Sequence, residues 1–245
     1  MLERKQDYET LRRVNALATE RLAREAAACG AQHFVFLSTI GVCGDETSGE
    51  PITEETPPRP RSLYAASKLE AERLLGEVAR ETGLRVTVLR PTLVYGPGNG
   101  GNMLRLLRVA RAGWPLPLAS IRNRRNLTFV ENLVSAVSAV LAQPQCSGTY
   151  VVCDRQALST PQLVRGLAEG MGRSAVLLPF PVGLLRAAGR LTGRRDEIRR
   201  LTGSLEADAT KLSRVLGWRP PFDAEDAVRR TGAWFRSEYR QEGSS

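Results

Sequence analysis

The run Phe34-Val35-Phe36-Leu37, closed by Ser38 and Thr39, restricts the fold more than any other stretch of this 245-residue chain. Four uncharged, β-prone residues bounded by polar and glycine signals predict a strand buried on both faces, as inside a parallel sheet. Such a strand delivers its C-terminal residues to the crevice where open α/β sheets bind ligands, so Ser38 and Thr39 are expected at that rim. A loop rich in Gly, Pro, Glu and Thr covers 44–60, long enough to form one wall of a pocket. Tyr64-Ala65-Ala66-Ser67-Lys68 then opens an amphipathic helix over 64–80, with Leu69, Leu74, Leu75 and Val78 inward. The next buried strand is 86–89, and Pro91 turns the chain out of the sheet because it cannot donate to the ladder.

Tyr64 and Lys68 are four residues apart and share one helical face. A phenol titrating near ~10 is a poor base at neutral pH, but an ammonium held close favours the phenolate and lowers that value. A hydroxyl from Thr39 can orient a substrate alcohol against the Tyr64 oxygen. That makes a positioned acid/base for moving a proton while a hydride leaves the same carbon. An isolated Tyr-x-x-x-Lys is far more often an ordinary helix start, so its context has to decide.

Five stretches supply that context. They are Phe-Leu-Ser-Thr-Ile-Gly-Val-Cys-Gly-Asp (36–45), Ser-Leu-Tyr-Ala-Ala-Ser-Lys-Leu-Glu-Ala-Glu (62–72), Leu-Arg-Pro-Thr-Leu-Val-Tyr-Gly-Pro-Gly (89–98), Arg-Asn-Leu-Thr-Phe-Val (125–130) and Asp-Ala-Thr-Lys-Leu-Ser-Arg-Val-Leu-Gly-Trp (208–218). In this order they resemble the extended short-chain dehydrogenase/reductase family, in particular its NAD-dependent nucleotide-sugar epimerases, dehydratases and 4-keto reductases. The resemblance implies a Rossmann-like doubly wound parallel sheet with a smaller C-terminal α/β substrate domain. Residues 1–95 would belong to the dinucleotide-binding domain and 96–245 mainly to the substrate region, with 126–154 returning to the first. It implies catalytic places for Thr39, Tyr64 and Lys68, and NAD(P) contacts for Asn15, Ser38, Tyr64, Lys68 and Pro91. Substrate contacts fall to Thr39, Asn102 and Arg125. Cys43 departs from the family, many members of which carry Tyr before that glycine.

Residues 8–28 place Leu11, Val14, Leu17, Ala18, Leu22 and Ala26 at helical spacing, with Cys29-Gly30 as the stop. The chain therefore enters the family pattern at a middle element. The strand, glycine turn and helix that open a dinucleotide-binding half do not precede Tyr8, so an N-terminal truncation of roughly 60–80 residues is expected, a βαβ unit taking about 30 residues or more. Gly96-Pro-Gly98-Asn-Gly100-Gly101 satisfies Gly-x-Gly-x-x-Gly, but it carries a proline and lacks the acidic residue at the right distance. It reads as a flexible loop that lets backbone approach a sugar nucleotide.

Further helices are expected over 102–112, 131–141, 208–218 and 224–239, a strand over 149–152, and a helix start at Ser159-Thr160-Pro161. Arg122, Arg124 and Arg125 have the guanidinium spacing to clamp a diphosphate, although a solvated loop is the commoner use of such a cluster. Residues 183–200 are apolar on one side and basic on the other. Such a face can lie on an anionic membrane; a solvated helix or a substrate lid is the more frequent reading.

The net charge of +9 rests almost wholly on arginine, with Lys only at 5, 68 and 211. It is compatible with an anionic small substrate. A nucleic-acid partner would rest on charge alone, since no reader motif is present. His33 is the single histidine and none of Cys29, Cys43, Cys146 and Cys153 forms a Cys-x-x-Cys pair, which argues against a metal site. The free thiols, the missing signal peptide and the short apolar runs fit a cytoplasmic protein without stable membrane insertion.

The function expected is oxidation or reduction at C4 of a UDP-sugar, as an epimerase or a 4-keto reductase of bacterial surface polysaccharide synthesis. A homodimer through the helices around 8–28 and 64–80 goes with it. The alternative is a remnant or binding module without its own cofactor site and without catalysis.

Overall fold

The computed structural model describes residues 7–241. Its main sheet holds β1 (His33–Leu37), β2 (Arg85–Pro91) and β5 (Gly148–Val152) in the order β1-β2-β5. All pairs are parallel, with Leu37 opposite Leu89 and Pro91 opposite Val152. The period of two divides the strand residues between two helical layers. Phe36 and Val88 pack with Leu75 and Val78 of α3 (Leu63–Thr82) and with Ala23 of α2 (Ala18–Ala28). On the other side Leu89 and Tyr150 pack with Leu133 and Val140 of α5 (Val130–Leu141) and Leu212 of α9 (Thr210–Leu216). The sheet is thus covered on both faces, and complete burial of Leu75 or Val78 contributes roughly 1.5–3 kcal/mol each.

Pro91 ends β2 as its missing N–H requires. Thr92 N donates to Val152 O, and the chain passes into β3 (Leu93–Tyr95), which pairs in parallel with β4 (Leu127–Phe129). This second sheet leans on a separate apolar core made by α4 (Gly101–Ala112), α6 (Thr160–Gly170) and α10 (Ala224–Gln241). α6 and α10 interlock through glycine: a Cβ on Gly170 would lie 2.0 Å from Arg229 O, and one on Gly232 2.2 Å from Leu167 O. Buried Asp154 ties the two cores together. Its carboxylate accepts from Tyr95 Oη, Phe129 N and Asn132 Nδ2.

α3 starts and stops as its sequence dictates. Ser62 Oγ accepts from Ala65 N at 3.1 Å, and Gly83 closes the helix in the left-handed region at φ 74°. Three expectations need correction. First, β1 is not buried throughout: Phe36 is buried but Leu37 is exposed, because among the described residues nothing pairs with its outer edge. Second, the N-terminal helix carries a π-type stretch, Arg13–Leu17, between α1 (Tyr8–Arg12) and α2, which rotates its packing face. Ala16 and Ala23 are therefore the residues fully buried against α3, while Val14 and Leu22 are each 61% exposed. Third, the basic stretch 183–200 is two helices, α7 (Val182–Leu191) and α8 (Arg195–Thr202), separated at Gly193 with φ 70°.

His33 opens β1, its Nε2 lying 2.8 Å from Thr87 Oγ1 and its Nδ1 buried without a partner. Burial first, then the Arg85 charge, lowers its pKa below the usual 6.5. The unfolded chain then binds the proton more tightly than the folded one, so this group's contribution is constant above pH 6.5 and turns against folding as pH drops below it. His33→Gln is expected to flatten the loss of stability just below pH 6.5, measured as urea midpoints across that range. An unchanged pH profile would contradict it.

Candidate active site

The strand end of β1 and the first turns of α3 meet at one rim of the sheet. After Thr39 the chain makes a single 3-10 turn, Ile40–Val42, capped by Thr39 Oγ1 accepting from Gly41 N at 3.1 Å. A Cβ built on Gly41 would sit 3.4 Å from Thr39 Oγ1 and 3.6 Å from Ala65 Cβ, so this turn packs on the start of α3. The Thr39 hydroxyl therefore has one of its two acceptor positions occupied and its proton available to donate. Tyr64 is 46% exposed, and its hydroxyl has no hydrogen-bond partner among the described residues.

Lys68 lies between the end of β1 and the Tyr64 ring. Its Nζ donates to Leu37 O at 3.0 Å and lies 4.5 Å from the centre of the Phe36 ring, against 6.0 Å from that of Tyr64. Burial raises the Tyr64 pKa above that of an ordinary phenol. Burial also lowers that of Lys68, opposed by the Glu72 carboxylate. One of the three ammonium donors of Lys68 is thus engaged by a strand-end carbonyl, and two remain to meet a ligand.

Sequence reading missed the group that organises this rim. Glu72, one turn beyond Lys68, is bound by the Arg90 guanidinium through Nη2 to Oε2 at 2.6 Å and Nε to Oε1 at 3.0 Å. The two side chains are only 8% and 7% exposed. Ser38 Oγ also donates to Glu72, and Arg90 Nη1 donates to Cys43 Sγ at 3.4 Å. One carboxylate thus joins the ends of β1 and β2 to α3. Its signal was available: Lys68 and Glu72 stand at i and i+4, and Arg90 is a charge in the buried C-terminal half of β2, between Leu89 and Pro91. Cys43, in the place where Tyr was expected, is turned inward to this pair.

The other candidate residues divide between rim and elsewhere. Asn15 Nδ2 donates to Ser67 Oγ, which donates to Tyr64 O, so Asn15 braces the turn that carries the phenol. Pro91 is buried at the end of β2. Asn102 is exposed in the first turn of α4. The three arginines do not form one clamp: Arg124 pairs with Glu206 at 2.7 Å, and Arg122 is exposed. Arg125 Nη1 donates to the carbonyls of Arg200 and Gly203, at the C-terminal end of α8. Among the described residues no group of His, Cys, Asp and Glu could hold a metal.

The strand-end groups suit one end of a nicotinamide dinucleotide: an exposed phenol and an ammonium that can share a ribose hydroxyl. The pyrophosphate end fits less well. Among the described residues the strand–glycine turn–helix unit is β3, Gly96–Gly100 and α4. A Cβ at Gly96 would come within 2.5 Å of Val130 Cγ1, and Asn99 folds back to bond Val94 O. Gly96 is a packing glycine, whereas a Cβ at Gly98, Gly100 or Gly101 would meet nothing within 4 Å.

A parallel sheet wrapped by helices, with a phenol, an ammonium and a hydroxyl at its strand ends, defines a Rossmann-like α/β protein. The chain belongs to the NAD dependent epimerase/dehydratase family, whose model matches residues 3–153. It is 35% identical to the UDP-glucose 4-epimerase of Vibrio cholerae over 227 residues, 91% of this chain and 69% of that protein. An undecaprenol-linked N-acetylglucosamine 4-epimerase of Escherichia coli O157:H7 is 24% identical over 89% of the chain and 70% of its own length. In fold the chain is similar to UDP-glucuronic acid 4-epimerase from Bacillus cereus in complex with NAD. That likeness has a TM-score of 0.73 at 19% identity and covers 94% of this chain and 68% of that one.

Proposed function

We propose that the protein acts at C4 of a UDP-sugar, as a 4-epimerase or a 4-keto reductase with NAD(P), in bacterial surface polysaccharide synthesis. The observation that carries this reading is the half-exposed phenol of Tyr64, unpartnered inside the protein and set beside the Thr39 turn and Lys68. The likeness to the Vibrio cholerae UDP-glucose 4-epimerase supports the substrate class.

Tyr64 moves a proton to or from the C4 oxygen, and Thr39 donates to that oxygen to orient it. Lys68 and Ser38 hold the strand end that the nicotinamide ribose meets, with Asn15 bracing the Tyr64 turn and Pro91 shaping the floor. A nicotinamide dinucleotide held at this rim by Ser38, Tyr64 and Lys68 would supply or accept the hydride at C4. Asn102 and Arg125 serve the nucleotide diphosphate, which requires Arg125 to exchange the α8 carbonyls for phosphate oxygens. The reading divides the chain near residue 95 into a cofactor part and a substrate part, with 126–154 returning to the first. The exposed Val14 and Leu22 support pairing of two copies through the helices around 8–28 and 64–80. The four cysteines are free, which supports a reducing, cytoplasmic setting. No described helix is long and apolar enough to cross a membrane.

The test is incubation with UDP-glucose and excess NAD, or with a UDP-4-keto sugar and NADPH, and analysis of the sugar by NMR. UDP-galactose or the C4 alcohol is expected. Binding of UDP-glucose without turnover in either assay would reduce the protein to a binding module. No binding at all would remove the nucleotide-sugar reading.

A further inference from the structure

The acid-free stretch 170–195 has no part in the chemistry above. It holds Arg173, Arg186, Arg190, Arg194 and Arg195 and no Asp or Glu. On its C-terminal side the first acids are opposed by arginine, Asp196 by Arg199 and Glu197 by Arg105; on its N-terminal side Glu169 is exposed.

Its apolar side chains follow two patterns. In the extended part Ala175 and Leu177 pack inward on the core of α4, α6 and α10, while Val176, Leu178 and Phe180 alternate with them and are exposed. In α7 the buried positions are Leu185 and Gly189. Leu184, Ala187, Ala188 and Leu191 fall on the opposite side at helical spacing, all exposed, Leu191 to 90%. Arg186 and Arg190 run alongside that outward stripe. Trp114 is 75% exposed two residues before Leu116, which bridges to Leu177 and so joins the same surface.

This surface is rigidly mounted. A Cβ at Gly189 would meet Ile198 Cγ1 at 2.7 Å, so α7 and α8 are closely packed. α8 is held in turn by Arg125 at its C-terminal end, and by Arg199 against Asp45 and Glu46 in the loop that follows the Thr39 turn. The apolar stripe is therefore fixed to the part of the protein that borders the candidate site.

We propose that the protein docks peripherally on an anionic lipid bilayer through Trp114, Val176, Leu178, Phe180, Leu184 and Leu191, with Arg190 and Arg194 meeting the headgroups. Exposed leucine, phenylalanine and tryptophan beside arginine, in a stretch that carries no acid of its own, have the chemistry of an interfacial helix. An aqueous polyanion such as a nucleic acid would match the arginines but leave the apolar stripe wet. A second copy would bring the same positive charges face to face. The bilayer alone satisfies both halves of the surface.

The test is co-sedimentation of the purified protein with phosphatidylcholine vesicles and with vesicles carrying in addition about a quarter phosphatidylglycerol. Binding to the anionic vesicles only, weakened by salt, is expected. Each arginine near the surface multiplies the partition constant by about fivefold, so Arg190→Gln with Arg194→Gln is expected to lower it about twenty-fivefold. Leu184→Gln with Leu191→Gln is expected to lower it at least about tenfold. Both pairs are exposed and should keep the circular dichroism and melting midpoint of the parent. The proposal falls if anionic vesicles fail to retain the protein, or if both folded variants bind like the parent. It falls equally if a duplex oligonucleotide or self-association on gel filtration shows the same variant dependence while vesicles do not bind.

Discussion

Glu72→Ala is expected to destabilise the protein by about 3–5 kcal/mol, because it leaves a buried guanidinium without its counter-charge. The Arg90 fork makes two bonds to this carboxylate, and Ser38 donates a third. Cys43 Sγ would be the remaining acceptor for Arg90, and it is weak and buried. The ends of β1 and β2 would lose their common tie, and with it the placement of Thr39 and Lys68. Replacing both partners by methionine should restore much of the loss, since the pair's attraction is offset by the cost of desolvating two charges. Urea unfolding of the single and double variants measures this. A Glu72→Ala protein as stable as the parent would mean that Arg90 finds other partners.

Tyr64→Phe should do the opposite: leave the fold intact and remove the chemistry. The hydroxyl contributes no internal hydrogen bond and stands half in solvent, so the melting midpoint is expected to change little. Loss of a positioned acid/base is expected to slow turnover about 10²–10⁴-fold. The affinity for the nucleotide sugar should persist, because the proposed diphosphate contacts, Asn102 and Arg125, lie elsewhere. Since burial raises the Tyr64 pKa, the reduction direction, with Tyr64 as acid, should stay level through neutral pH and decline only in alkali. Unchanged turnover in the folded variant would take Tyr64 out of the reaction.

Much of the fold was legible because local signals agree with the global arrangement. Ser62 and Gly83 bound α3, Pro91 ends β2, and Ser159 with Gln162 caps α6, as residue types at those spacings require. The misreadings have a common cause. The face of the first helix was set by the π-type stretch and by close packing of Ala16 and Ala23 on α3, neither of which leaves an apolar period. The arginines at 124 and 125 were read as neighbours in sequence, whereas Glu206 and the α8 carbonyls reach them from some eighty residues away.

By itself the sequence determined the alternation of strands and helices, the two-sided sheet and the pairing of Tyr64 with Lys68 on one helical face. These follow from periodicity and capping, which act over a few residues. The tertiary structure alone decided where the charges went: Lys68 to the Leu37 carbonyl, Glu72 to Arg90 and Ser38, Arg125 to the end of α8. A buried charge binds whichever opposite group or carbonyl folding brings within reach, because leaving it unpaired away from water costs more than any local preference supplies.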